Sequence, residues 1–359
     1  MSTKEQNRLH ILNGVLERYW TMKEAAPSLG VSERQGWRLL AAYQREGARG
    51  LVHQNRGRVP PNATPGDIRQ QVVALAQQRY SGINHTHLTE LLAEREGVML
   101  PRPTVRRLLI RGGLTSPRQR RPPRHRCRRQ RMPQEGMLLQ LDGSHHLWLE
   151  DRWPWLTLLL AVDDATGKAP HALFQEQEDT RGYLSLLQGI IERLGVPMAV
   201  YTDRHAVFQS RRSPSDRSPV RQKGPSTQWG RDLGELGITQ ILAHSPEAKG
   251  RVERANGTFQ DRLVAELRLA DACTLEKANQ VLAEFLPRFN QRFGVPADQP
   301  ELAYRPVDPE LDLGGVLCIK ELRRVAKDNT VQYHGRTLQL YPGTKRPQLW
   351  AGTTLGDSS

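Results

Sequence analysis

Three acidic residues, Asp142, Asp203 and Glu253, are spaced so that two strands and a helix of one domain can bring their carboxylates together. Unpaired carboxylates at one point repel and raise each other's pKa, so they persist together when a divalent cation neutralises them. Hard oxygen ligands select Mg²⁺ or Mn²⁺. Two such ions activate a nucleophile and stabilise the leaving oxygen of an in-line phosphoryl displacement. The three acids together suit that chemistry, whereas Asp142 or Asp203 alone fits an ordinary strand-end or helix-cap role.

The acids lie in a segment, residues 136–300, that alternates strand-like and helix-like patterns. Strands are predicted at 137–143, at two stretches of 154–177 joined by a DDATGK turn, at MAVYTD and at GITQILA, and helices at 180–194 and from about 247 to 269. This order predicts an α/β domain with a mixed sheet and matches the ribonuclease H-like topology. In such sheets, sites form beyond the carboxyl ends of the strands. If the strands that end at Asp142 and Asp203 are parallel neighbours, their carboxylates converge there.

The last predicted helix of this segment carries the third acid on a polar face. Lys249, Glu253, Asn256 and Gln260 follow one another at spacings of four, three and four residues, which places them on one side of a helix. A helix leaning across the sheet then delivers Glu253 to the two aspartates. Lys249 and Arg251, which flank Glu253, are candidates to contact phosphates of the same bound strand.

The positive charge of the 359-residue chain is concentrated at its N-terminal end. The whole chain has 52 Lys and Arg against 38 Asp and Glu, a net charge of +14. Residues 1–134 hold 25 of the basic and nine of the acidic residues, so the remainder is close to neutral. A basic front end on a near-neutral body predicts binding to a polyanion. Charge alone does not separate DNA from RNA or from an anionic membrane.

The first basic segment, residues 1–58, has the pattern of a helix-turn-helix. The run MKEAAPSLGVSERQGWRLLAAYQ predicts a helix, a tight glycine turn and a second helix with a serine cap. The expected buried positions are Leu29, Val31, Trp37, Leu40 and Ala41. Residues that read base edges are expected near the N-terminal end of the second helix, at Arg34, Gln35 and Arg38.

A second helical unit, residues 59–115, precedes an arginine-rich linker, residues 116–135. The last helix of this helix-turn-helix or winged-helix-like unit, VRRLLIRGG, leaves its arginines outside, and we expect Arg106 and Arg107 to contact DNA. The basic run of the linker has two prolines and no apolar residues that could pack, which predicts a non-helical segment. It has no acid and many arginines, which favours contact with phosphates over a solvated hinge. Its eight arginines are Arg118, Arg120, Arg121, Arg124, Arg126, Arg128, Arg129 and Arg131.

The rest of the sequence bounds the class of protein. Residues 301–345 alternate in short stretches and predict a small β-barrel, followed by a disordered tail at 346–359. Only 37% of residues are hydrophobic and no apolar run reaches about 20 residues, which excludes a membrane protein. Three widely spaced cysteines exclude a disulfide scaffold, and the polar N-terminus has no secretory signal. We therefore expect a cytoplasmic protein associated with the nucleoid.

Three blocks, LQLDGSHHLWL, VYTDRHAVF and HSPEAKGRVERANGTFQDRL, resemble in order and texture the DDE transposases of bacterial insertion sequences, relatives of retroviral integrases. The resemblance covers most of the chain and is greatest to ISNCY-type transposases. It implies that Asp142, Asp203 and Glu253 are the catalytic and metal-binding triad. It also implies two Mg²⁺ ions, for which Mn²⁺ substitutes, and double-stranded DNA partners, the terminal inverted repeats and the target. Self-association into a dimer or larger assembly on DNA is expected.

One spacing departs from the best-known integrase pattern. Asp203 and Glu253 are separated by 49 residues, more than in that pattern. The extra length is a loop rich in Pro, Ser and Arg, residues 210–228, for which DNA contact is favoured over an idle insertion. The tryptophans near the first acid are favoured as core residues over base-stacking platforms; they are Trp148, Trp153 and Trp155.

The resemblance thus implies a transposase that cleaves the ends of its element and joins them to target DNA. Three alternatives stay open: a DNA-binding regulator or decayed transposase that no longer cuts, a ribonuclease H-like nuclease that does not join strands, and a partner of a separate catalytic subunit. The N-terminal features fit a regulator equally well, and only the intact triad argues against it.

Overall fold

Helices occupy the N-terminal third of the chain, and a mixed sheet lies in the middle. The structure, a computed structural model, describes residues 2–53, 55, 57–61, 63–117, 129–209, 227–243, 249–321, 323–341 and 354–355. The described helices are α1 (Thr3–Leu16), α2 (Met22–Leu29), α3 (Glu33–Glu46), α4 (Gly66–Gln78), α5 (His85–Glu96), α6 (Arg102–Arg111), α7 (Thr180–Leu194), α8 (Gln228–Glu235), α9 (Gly250–Leu269), α10 (Leu275–Phe293) and α11 (Leu313–Val316). The described strands are β1 (Leu139–His146), β2 (Leu156–Asp163), β3 (Ala172–Gln175), β4 (Ala199–Thr202), β5 (Thr239–Leu242), β6 (Arg323–Arg324), β7 (Thr330–Tyr333), β8 (Arg336–Gln339) and β9 (Thr354–Leu355).

The chain divides into two compact units, residues 1–69 and 70–359. The first unit packs α1, α2 and α3 around a small apolar core that includes Leu12, Met22 and Leu40. Capping boxes begin α1 and α2, and the Ser32 side chain accepts a hydrogen bond from the α3 backbone. Each of the three helices therefore has a side-chain cap at its N-terminal end.

The turn between α2 and α3 confirms the predicted helix, glycine turn and helix. Gly30 ends α2 with φ 63°, the left-handed conformation that glycine adopts without strain. Pro27, which interrupts the pattern in the sequence, lies inside α2 near its end. Two expected core positions are wrong: Trp37 is 55% exposed and Ala41 is also exposed. They lie on the outer side of α3, because only the side bearing Leu40 is covered.

The second unit begins with another helical group, from residue 70 to α6. Its inward positions follow the predicted stripes, with Leu88, Leu92, Val105 and Leu109 all buried. The Tyr80 hydroxyl donates to Glu96 Oε1 at 2.6 Å and ties the end of α4 to the end of α5. The arginines of α6 stay exposed, as expected from the one-sided apolar pattern.

The central sheet has the order β3-β2-β1-β4-β5. β1, β2 and β3 are antiparallel neighbours, whereas β1–β4 and β4–β5 are parallel, so the predicted mixed α/β sheet is confirmed. α9 and α10 pack on one face of the sheet through Phe259, Phe285 and Phe289. α7 and α8 cover the other face through side chains that include Tyr183 and Trp229. Apolar cores on both faces explain why β2 is buried along its whole length.

Two features of this domain differ from the sequence prediction. β1 does not end at Gly143 but continues to His146, because it keeps its antiparallel pairing with β2. α10 was not predicted, although Thr274 caps it and its buried residues recur at helical spacing.

The predicted C-terminal barrel is not formed by the described residues. β6 pairs with β9 and β7 with β8, as two separate two-stranded sheets that do not close. The short strands have too few partners to make a barrel, and α11 packs on the α7 side of the central sheet instead. Of the expected disordered tail, Thr354–Leu355 pair with β6, and the rest of 346–359 lies outside the described residues.

Three predicted segments fall largely outside the described part of the chain. They are the basic run 118–131, of which 129–131 are described, the insertion 210–228, of which 227–228 are described, and the start of the helix predicted from about 247, where 244–248 lie outside the described residues. Within the described ranges, no helix is long and apolar enough to cross a membrane.

Candidate active site

Two of the predicted acids lie on neighbouring parallel strands. β1 pairs with β4 through Gln140 and Tyr201, and the same register two residues further on brings Asp142 level with Asp203. Asp203 directly follows β4, and Asp142 lies where β1 loses its β4 neighbour. The strands are therefore the parallel neighbours that the prediction required, and the two carboxylates meet at the carboxyl end of β4.

A lysine ammonium bridges the two aspartates. Lys249 Nζ lies 2.6 Å from Asp142 Oδ1 and 3.7 Å from Asp203 Oδ2. The Lys249 side chain is 7% exposed, against 22% for Asp142 and 47% for Asp203. Two neighbouring carboxylates without a counter-charge repel each other. The buried Lys249 ammonium reduces that repulsion, because it lies between them.

The predicted polar face of α9 lies along β1. Asn256 Nδ2 donates to Asp142 Oδ2 at 2.7 Å, and Gln260 Nε2 donates to Ser144 Oγ at 3.0 Å. Glu253 stands between Lys249 and Asn256 on this face by helical spacing, and it is exposed. The helix thus leans across the sheet in the predicted way.

The donor set of this site fits a hard divalent cation. Carboxylate oxygens are the ligands that Mg²⁺ prefers, and the Lys249 ammonium occupies a position between two of them. The amide nitrogen of Asn256 contacts Asp142, and the amide oxygen of the same side chain, Oδ1, is buried. This oxygen has no hydrogen-bond partner among the described residues. Across the described ranges, however, no three His, Cys, Asp or Glu side chains are close enough together to hold a metal ion. The structure brings Asp142 and Asp203 together and leaves Glu253 outside that pair.

A further carboxylate, Glu178, lies beside the pair and was missed by the sequence analysis. A Cβ on Gly143 would stand 2.5 Å from a Glu178 carboxylate oxygen, so glycine next to Asp142 makes room for it. The Tyr183 hydroxyl donates to Glu178 Oε1 at 2.6 Å. Burial raises the pKa of Tyr183 well above its ordinary value, and the charges of Glu178, Asp142 and Asp203 raise it further. The phenol therefore remains a donor, and no local sequence pattern marks this long-range arrangement.

Asp164, directly after β2, and the turn that follows it contact three arginines that the sequence analysis predicted to bind DNA phosphates. Its carboxylate pairs with Arg129, and Arg251 Nη1 lies 2.7 Å from Asp164 Oδ1. Arg131 Nη1 donates to the Ala165 carbonyl at 2.8 Å. Asp164 is fully buried and needs such partners. Arg129, Arg131 and Arg251 thus have partners within the protein, and we do not propose them as DNA contacts.

Lys249, also a predicted DNA contact, is buried and paired with Asp142 and Asp203. The predicted contacts on α3 and α6 are exposed. Arg34, Gln35 and Arg38 lie on the outer side of α3, and Arg106 and Arg107 on that of α6. The remaining linker arginines lie outside the described residues; they are Arg118, Arg120, Arg121, Arg124, Arg126 and Arg128.

Comparison with known proteins shows which family the chain belongs to. A protein of Sinorhizobium fredii named as a transposase, y4bF, is 35% identical over 343 residues, covering 95% of this chain and 73% of that protein. The chain belongs to the insertion-sequence transposases. The transposase for insertion sequence IS1202 of Streptococcus pneumoniae is 33% identical over 324 residues, covering 81% of this chain and 68% of that protein. The resemblance to transposases of bacterial insertion sequences is confirmed.

A family profile and two solved structures match more narrowly. The profile described as the leucine-zipper of insertion element IS481 matches residues 3–81. A chain of a simian T-cell lymphotropic virus intasome is 17% identical with a TM-score of 0.34, over 74% of this chain and 84% of that chain. The HTLV-2 integrase catalytic core domain in complex with magnesium is 20% identical with a TM-score of 0.29, over 42% of this chain and 85% of that chain. These structural likenesses are too distant to decide anything about this transposase.

Proposed function

We propose that this transposase cleaves the ends of its element and joins them to target DNA at a site built from Asp142, Asp203 and Glu253. The observation that carries the proposal is the meeting of Asp142 and Asp203 on parallel strands, under a helix face that also bears Glu253. Two Mg²⁺ ions, or Mn²⁺ in their place, would be held by these three acids. When bound, such ions neutralise developing charge and activate the attacking oxygen in a phosphoryl transfer.

The residues of the chain have distinct tasks in this scheme. Asn256 holds the Asp142 carboxylate in place through its amide. Lys249, whose ammonium lies between the two aspartates, would contact a phosphate of the bound strand when cations occupy those carboxylates. Water attacks the phosphodiester at each element end, and the strand leaves with a free 3′-hydroxyl. That hydroxyl then attacks a target phosphodiester, whose own 3′-oxygen leaves, so that one bond forms for each bond broken.

The basic N-terminal elements supply the DNA-binding part of the proposal. The outer side of α3 carries Arg34, Gln35 and Arg38, with the exposed indole of Trp37 among them. A helix with such a face, placed after a tight turn, suits the major groove of the terminal inverted repeat. The exposed Arg106 and Arg107 of α6, and linker arginines from Arg118 to Arg128, would contact phosphates. Because two element ends must be joined together, we propose a dimer or larger assembly on DNA.

The experiment that tests the activity is a cleavage assay on the full chain, with a duplex carrying the inverted repeat that flanks its gene. Asp142→Asn is expected to lower Mg²⁺-dependent cleavage by about a thousandfold or more, because it removes a ligand worth several kcal/mol of transition-state stabilisation. Binding to the duplex should be unchanged, since the DNA-reading residues are elsewhere. Asp151→Asn, an exposed acid in the turn after β1, is the matched control and should cleave normally.

The outcomes separate the alternatives. Cleavage by Asp142→Asn at the wild-type rate would overturn the triad. Wild-type binding without cleavage in Mg²⁺ or Mn²⁺ would point to a regulator or a decayed transposase. Cleavage without joining to a target plasmid would point to a nuclease.

A further inference from the structure

A cavity of about 310 Å³ lies between α5, α9 and α10. Phenylalanine rings of α10 line one part of it, and charged side chains from all three helices line the rest. Its volume is at the lower end of the range in which proteins bind small ligands, about 300–1,000 Å³. Glu266, on the cavity wall, follows Glu253 by thirteen residues on α9, or about 20 Å along the helix. The cavity is therefore separate from the proposed active site.

The arginines around the cavity outnumber the buried acids that pair with them. The side chains of Glu90 and Glu266 are 12% and 4% exposed, and each carboxylate pairs with two arginines. The pairs are Glu90 with Arg262 and Arg292, and Glu266 with Arg95 and Arg288. Arginine is always charged in proteins, so this described cluster has two more positive than negative charges. Glu94, an exposed acid on the cavity wall, offsets at most one of them.

The two most exposed of these arginines stand one helical turn apart at the cavity. Arg288 and Arg292 of α10 both line it, with 44% and 46% of their side chains exposed. At this spacing the Cβ atoms are about 5–6 Å apart, so a single oxyanion can reach both guanidinium groups. Each group has five N–H donors and engages its carboxylate through Nη2, so donors remain for a ligand. The wall also has an unused polar atom, because His87 is buried and its Nδ1 has no hydrogen-bond partner among the described residues.

We propose that the cavity binds a phosphate group between Arg288 and Arg292. A phosphate carries one or two negative charges, which the cluster lacks, and its oxygens match the planar guanidinium fork. By neutralising the excess positive charge, the phosphate stabilises the contact of α5 with α9 and α10. This site is independent of the proposed function, since it uses neither the acid triad nor a bound metal. Free phosphate from solution and a phosphate of the DNA backbone present the same oxygens, and two experiments distinguish these sources.

The first experiment is thermal unfolding of the full chain by differential scanning fluorimetry, with sodium phosphate titrated against sodium chloride at equal ionic strength. Phosphate should raise the melting temperature of the wild type by about 5 °C at saturation, because it binds the folded state alone. The double variant Arg288→Gln, Arg292→Gln should lose this rise, since both guanidinium groups at the cavity are gone.

The double variant should still fold, because each carboxylate keeps one arginine partner, Arg262 for Glu90 and Arg95 for Glu266. The matched control, Lys277→Gln with Arg193→Gln, removes two positive charges at exposed sites and should keep the response to phosphate. Equilibrium dialysis with radiolabelled phosphate, at a temperature where both variants are folded, measures binding without unfolding. One phosphate fewer per chain is expected for the double variant than for the control.

The second experiment measures binding to the inverted-repeat duplex over a range of KCl concentrations. If the site holds a backbone phosphate, the slope of log K against log[KCl] should be shallower by about one in the double variant than in the control. A shallower slope assigns the site to DNA, and a phosphate-dependent melting temperature with an unchanged slope assigns it to free phosphate. If the double variant matches the control in both experiments, the phosphate site is wrong. Neither measurement needs cleavage, so a failure of the acid triad would leave both results unaffected.

Discussion

At the scale of single residues, Lys249 offsets part of the negative charge of the two aspartates. Its ammonium contacts Asp142 and approaches Asp203, so the two acids share one positive charge. In the proposed function, Mg²⁺ and the ammonium would compete for the same oxygens. The charge on Lys249 should therefore weaken metal binding while it stabilises the metal-free protein.

Replacing Lys249 by Met removes the charge and keeps most of the side-chain length. Without divalent cations the variant should melt at a lower temperature, because Asp142 and Asp203 repel each other. On MgCl₂ titration its melting temperature should rise more than that of the wild type, with a midpoint at about tenfold lower Mg²⁺. Differential scanning fluorimetry measures both effects. Lys277→Met changes the net charge equally at an exposed site on α10, and an identical metal response of the two variants would contradict competition at the aspartates.

At the scale of elements, the contact of α7 with the sheet sets the geometry beside the acids. Gly182 lies in the first turns of α7, where a Cβ would stand 2.0 Å from Gln175 Oε1 and 2.5 Å from Leu159 Cδ1. The helix can approach β2 and β3 this closely only where it has no side chain. The same approach positions the neighbouring Tyr183, whose hydroxyl holds Glu178.

Gly182→Ala should therefore lower the free energy of unfolding by about 1–3 kcal/mol through overpacking. Gly257→Ala is the matched control, since Gly257 lies inside α9 with open space around a Cβ. That change should raise stability by about 0.5–1 kcal/mol, because alanine is the better helix former. Equilibrium urea unfolding measures both. Equal effects of the two substitutions would mean that α7 does not pack tightly on the sheet.

At the scale of the second unit, a charged network fastens the helical group of residues 70–114 to α9 and α10. Glu266 on α9 is buried and contacts three basic side chains: His87 at 3.2 Å, Arg95 at 2.6 Å and Arg288 at 3.4 Å. Glu90 on α5 pairs with Arg262 and Arg292, and Asn84 donates to Asp261 at 2.7 Å. A cavity of about 310 Å³ lies within this network.

The pKa of Glu266 determines how the stability of the protein changes with pH. Burial alone would raise this pKa, but the hydrogen bond with His87 and the charges of Arg288 and Arg95 outweigh it, and the pKa lies below the ordinary 4.5. The stabilisation is therefore fully present above pH 4.5 and is lost as the pH falls through the folded-state value. Glu266→Gln should cost about 3 kcal/mol at pH 7, since it leaves the cations around it uncompensated.

Urea unfolding at pH 7 and at several values below 4.5, with hydrogen exchange of α5, checks this prediction. The difference between wild type and Glu266→Gln should shrink as the wild type loses its charged form. Glu284→Gln, an exposed acid on α10, should follow the wild type at every pH. A constant difference between wild type and Glu266→Gln down to pH 3 would contradict the assignment of the effect to this carboxylate.

Much of the site was predictable from local patterns. Strand ends placed Asp142 and Asp203 at one edge of the sheet, and the 3.6-residue period put Lys249 and Asn256 on the face of α9 that lies along β1. These inferences hold because side-chain direction in strands and helices follows from backbone geometry. Glu178 escaped prediction because its place depends on how a loop after β3 folds over a glycine of another strand.

The sequence by itself determined the order of the strands in the central domain, the basic N-terminal end, the acids and the family resemblance, since each depends on residue type and short-range spacing. Only the tertiary structure decided which charges meet: Lys249 with two aspartates, three arginines around the Asp164 turn, and Glu266 with the α5 helix. It also decided that Trp37 and Trp155 are exposed. Ion pairs and burial depend on elements far apart in the chain, and no local period encodes the contact between them.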